Sequence, residues 1–128
     1  MKSWKDREEA FLSFAPSERL KQTSDSLRRI SDLARQPEST GLLEALLDEA
    51  RGRLEWTAPY VDPRDGEELA NLQQTMTSWL GILRESAVTP RLRGLLFHEM
   101  WVWHYRLLDF AERAESSEPP KAQSMAMG

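Results

Sequence analysis

At 128 residues the chain is long enough to bury one hydrophobic core that needs neither disulfides nor a metal to hold it. Hydrophobic residues make up 40% and charged residues 30%, a globular composition, while a mean hydropathy of -0.60 leaves much polar surface, as slender helices with solvated backs would. The absence of cysteine excludes disulfides, thiolate metal sites and a cysteine nucleophile, and 17 basic residues interspersed among 21 acidic ones, net -4, give none of the clustered positive charge that nucleic acid rewards.

The opening MKSWKDREEAFLSF interrupts its apolar residues with Lys5, Asp6, Arg7, Glu8 and Glu9, so it lacks the apolar run of a secretory signal, and the expectation is a cytoplasmic protein. Ser3, with Asp6 three positions on, predicts a capped short helix carrying Trp4, Phe11 and Phe14 at helical spacing. Pro16 ends or kinks it. Ser17 is placed to cap a second helix running to about Gln36, in which Leu20, Thr23, Leu27, Ile30 and Ala34 form an inward stripe and Arg28-Arg29 belong to a solvated face. After QPESTG, Ser39 or Thr40 starts a third helix with Leu43, Leu46, Leu47, Ala50 and Leu54 inward and Gly52 as a weak spot.

YVDPRDG, before and including Gly66, is the longest loop signal, and Asp65 with Glu68 is read as the cap that closes it. The fourth helix then carries Leu69, Leu72, Met76, Trp79, Leu80 and Leu83 at steps of three and four. Thr89-Pro90 opens a fifth helix to about Glu115. No strand pattern appears. Short connections between long helices favour antiparallel neighbours, so the expected fold is all-α, an up-and-down bundle of four long helices with the short first helix laid across it. Residues 1–115 form the expected domain, and 116–128, which have no periodicity, an expected disordered tail.

The last helix raises the functional question. On a wheel of roughly 100° per residue, Leu92, Leu96, Met100, Trp103, Leu107, Phe110, Ala111 and Ala114 make a complete inward stripe. His98, Trp101, Val102 and Tyr105 make a second stripe, contiguous along the helix surface where a solvated helix would be polar. Something is expected to cover it, either the first helix with Trp4, Phe11 and Phe14 or another molecule. An unidentified protein partner or a homodimer would suit its Trp and Tyr, which are enriched in interface cores.

Three other readings of this helix are weaker. A membrane span needs about 20 largely apolar residues, and Arg93, Glu99, Arg106 and Asp109 interrupt this one. HEMWVWH is a near miss of the zinc-helix spacing HExxH, but His98 and His104 are six apart and diverge by about 120°, so no metal or other cofactor is expected. Arg93 and His98 fit the loose Arg-x4-6-His pattern and so resemble the HEPN helical ribonucleases; that likeness implies metal-independent RNA cleavage by this pair as the alternative function. Gly94 stands where HEPN motifs usually carry a polar residue, and the two side chains diverge by about 140°. There is no Gly-rich phosphate loop and no nucleophile elbow, and Asp48, Glu49, Glu67 and Glu68 read as helix-surface carboxylates.

LRRI at 27–30, EARGRLEWTAP at 49–59, LANLQQTMTSWL at 69–80 and the aromatic last helix together resemble, in order and spacing, a group of short uncharacterised cyanobacterial proteins. The last helix, with more bulky residues, departs furthest. The resemblance implies a cytoplasmic helical protein and carries no activity. The expectation is therefore a non-enzymatic interaction or adaptor module that binds through its last helix.

Overall fold

The computed structural model describes residues 3–85 and 88–118. Its helices are α1 (Trp4–Leu12), α2 (Pro16–Ala34), α3 (Thr40–Thr57), α4 (Pro63–Glu85) and α5 (Pro90–Ser117), with single 3-10 turns at Pro37–Ser39 and Ala58–Tyr60. This is the expected all-α bundle.

Proline sets the punctuation: Pro16, Pro63 and Pro90 each occupy the start of a helix, where the missing N–H costs nothing and the fixed φ is already helical. The capping box on α1 is present, with Asp6 N–H donating to Ser3 Oγ at 3.1 Å and Ser3 N–H to Asp6 Oδ2 at 3.2 Å. Thr89 caps α5 by accepting from Leu92 N–H. Two other expected caps are corrected. Ser17 lies inside α2 and does not cap it; its N–H and Oγ donate to the carboxylate of Glu118, which brings negative charge to the positive end of the helix from the far end of the chain. Asp65 does not close a long loop, because α4 already begins at Pro63, where Asp62 Oδ1 accepts from Arg64 N–H. Helix α5 continues to Ser117, and Glu118 beyond it is held by Ser17. The rest of the expected tail, 119–128, lies outside the described residues.

The four long helices close a ring in which sequential neighbours, and α5 with α2, run antiparallel. Arg53 donates to Ser26 between α3 and α2, Arg51 to Thr77 between α3 and α4, and Ser31 to the Phe97 carbonyl between α2 and α5. Every inward residue expected on α2, α3 and α4 is buried, as are Leu96, Met100, Trp103, Leu107, Phe110 and Ala111 on α5. One core joins them.

The short first helix does not lie where the second stripe of α5 would need it. Trp4 and Phe11 meet Trp56 of α3 at ring-centroid distances of 5.0 and 5.9 Å, so α1 packs on α3 and leaves α5 uncovered. Gly52 makes this possible: a Cβ there would meet Trp4 Cζ2 at 2.6 Å, so the residue read as a weak spot is the floor on which the indole sits.

Candidate interaction surface on the last helix

Helix α5 has three sides. The inward side fills the core. The side toward α2 is lined on α2 by Ser17, Ser24 and Ser31, seven residues apart and all buried. Small side chains at this spacing let the two backbones approach, and each hydroxyl then needs a partner because water is excluded. Ser31 Oγ donates to the Phe97 carbonyl at 3.0 Å, and Ser24 Oγ to the His104 carbonyl at 3.0 Å. With that hydroxyl donating, His104 Nδ1 carries a proton and donates to Ser24 Oγ at 2.6 Å and to the Ser24 carbonyl at 2.9 Å. His104 is thus a buried, satisfied histidine.

The third side faces out. The core stripe does not need it, yet Leu95, Val102 and Tyr105 stand there 51%, 42% and 52% exposed, with His98 among them and Leu108 at the edge. Of the four residues expected as a contact stripe, His98, Val102 and Tyr105 lie together on this open face. Trp101 does not belong fully to it. It is half-buried toward α2, with Arg28 5.7 Å above its ring, and it stacks between Phe97 at 6.3 Å and His104 at 5.7 Å. Tyr105 meets it edge-on at 5.4 Å. Arg35 lies 3.8 Å over Phe97. Some of the second stripe is therefore covered within the chain, by Arg28 of α2 and by Arg35 just after it, and Trp101 serves as the stiff backing of Tyr105.

Arg93 and His98 are not brought together. Arg93 is buried and its guanidinium donates to the carbonyls of Ala34 and Gln36, at 3.1 and 3.0 Å, and to Thr40 Oγ1 at 3.0 Å, tying the end of α2 to the start of α3. His98 is exposed on the outer face. Arg19 has the matching role at the end of α1, where it donates to the carbonyls of Leu12 and Phe14. Burial lowers its proton affinity, against the opposing pull of Tyr60 and Glu118. Among the described residues no residue adopts positive φ, so these helix ends lack the left-handed glycine cap, and buried arginines share their carbonyls with Ser13 and Ser39 instead. Sequence reasoning missed this role. The available signal was slight: each arginine lies three residues after a proline that opens its helix, Pro16 for Arg19 and Pro90 for Arg93.

Hollows lie elsewhere on the bundle. A groove of about 680 Å³ at one end of the bundle is bordered by Tyr60, Asp62, Asp65, Arg113 and Glu118. Within it Asp65 is paired with Arg113 through two hydrogen bonds, 2.9 and 3.1 Å, which hold the arginine above its ordinary pKa. A smaller pocket of about 270 Å³ is walled by Trp4, Phe11, Phe14 and Trp56. Neither Arg93 nor His98 lines either one. Among the described residues no group of three His, Asp or Glu side chains is arranged to hold a metal ion, and no helix is long and apolar enough to cross a membrane.

The chain matches no protein-family model, no curated protein and no solved structure.

Proposed function

We propose that this protein is a non-enzymatic interaction module, an adaptor whose contact surface is the outer face of α5. The observation that carries the reading is the exposure of Leu95, Val102 and Tyr105 in one strip on a helix whose inward stripe already completes the core. Water gains nothing from wetting these groups, and covering the exposed area of each is worth on the order of 1 kcal/mol. The backing of Tyr105 by Trp101, itself held by Phe97 and Arg28, supports the same reading, because a ring already fixed loses little entropy on docking. The engagement of Arg93 with helix-end carbonyls gives the ribonuclease reading no supporting geometry. The likeness to the cyanobacterial group adds no activity to this reading.

The test is a photo-crosslinking amino acid at Val102 in the full chain, expressed in cells, with the same group at the exposed Gln74 of α4 as control. A defined adduct at 102 that the Tyr105→Asp change abolishes, and none at 74, is the expected result. Equal labelling at both positions would overturn the assignment of the face.

A further inference from the structure

We infer that the occupant of this face is a second copy of the same chain, docked antiparallel along α5 in one register; the inference rests on the interaction face described above. The exposed residues Arg91, Leu95, His98, Val102, Tyr105 and Asp109 follow one another at steps of four, three, four, three and four. That is the alternation of a coiled-coil seam, which keeps one narrow strip facing a partner helix. It is a seam on the outside of a helix whose core stripe is already used.

The seam is also symmetric about position 100. When a second α5 runs antiparallel across it with a two-fold axis at that position, Leu95 meets Tyr105 of the second copy, His98 meets its Val102, and Arg91 meets its Asp109, each contact occurring twice. The apolar residues fall in the middle and the opposite charges at the two ends, with exposed Glu112 one turn beyond Asp109 adding to the negative end that receives Arg91; Arg113, also one turn from Asp109, is turned to α4 and paired with Asp65. A parallel arrangement would instead set Arg91 on Arg91 and Asp109 on Asp109. The charges therefore select the antiparallel copy and fix its register. Arg28 and Arg35 do not obstruct it, since they lie over Trp101 and Phe97 on the flank toward α2.

The experiment uses the purified full chain. Sedimentation over a concentration series reaching several hundred micromolar is expected to give a reversible dimer. Because each substitution enters both symmetric contacts, Arg91→Asp alone and Asp109→Arg alone should each weaken it by about tenfold or more, and the two together should restore it to within about threefold of the parent. The chain has no cysteine, so the double variant His98→Cys with Val102→Cys should form an intermolecular disulfide under mild oxidation, with either single variant forming far less.

A monomer at every concentration would overturn the second copy and leave the interaction face to stand or fall by its own crosslinking test. A dimer indifferent to Val102→Asp with Tyr105→Asp would overturn the second copy on this face. A dimer abolished by that pair but not rescued by the charge exchange would overturn the antiparallel register.

Discussion

The two flanks of α5 join it to its neighbours by opposite means. Toward α2 the seam is made of serines, the backbones come close, and hydroxyls and a histidine reach carbonyls of the facing helix directly. Toward α4 the helices stand further apart and large side chains fill the interval. Trp103 and Phe110 are buried there under Arg106, which lies 4.0 Å from the Trp103 ring and pairs with Glu68 at 2.6 Å. Trp79 donates to Glu99 and Arg113 grips Asp65 across the same interval. Residue size at the seam sets helix spacing. A close seam has no room for added volume, and a wide one cannot lose any.

The largest effect is expected on the wide flank. Trp103→Ala should destabilise the fold by about 3–5 kcal/mol, because the helices cannot close over the void, and denaturant unfolding measures it directly. A loss below about 1 kcal/mol would mean that this flank collapses as freely as an exposed site.

The narrow flank should respond to gain instead. Ser24→Leu forces the α2 and α5 backbones apart and strips His104 of its hydroxyl partner, a cost of roughly 2–4 kcal/mol, while Ser24→Ala removes the hydroxyl alone and should cost about 1 kcal/mol. Leu milder than Ala in thermal melts would show that the seam is not close-packed.

Smaller and more local is the expected effect of Arg93→Met, at the end of the same narrow flank. It keeps the side chain's bulk but removes the guanidinium donors to the Ala34 carbonyl and Thr40 Oγ1, while the Gln36 carbonyl keeps Ser39, so stability should fall by about 2 kcal/mol and amide exchange should rise first in the last turn of α2. Exchange that rises uniformly across the bundle would contradict the role as a helix-end clasp. Against all three, Val102→Asp with Tyr105→Asp on the open face should change monomer stability by no more than about 0.5 kcal/mol.

Much of this was legible in the sequence because it is local. Prolines at the starts of α2, α4 and α5, the Ser3 and Thr89 caps, and apolar residues at steps of three and four act within a few residues of one another, so helix positions and inward faces follow from the chain alone. The second stripe on α5 was visible for the same reason. What the sequence could not decide was what lies against it. Whether Trp101 is covered depends on α2 approaching closely enough for Arg28 to reach its ring, and that approach depends on serines distant from it in the chain. Gly52, read locally as a helix weakness, becomes a seat for Trp4 only once α1 has packed on α3. Ser17 and Asp65, read as caps, are claimed by Glu118 and Arg113 from the other end of the chain. Periodicity says which side of a helix is apolar; only the packing of seams of different width decides which neighbour meets it, and leaves Leu95, Val102 and Tyr105 facing water.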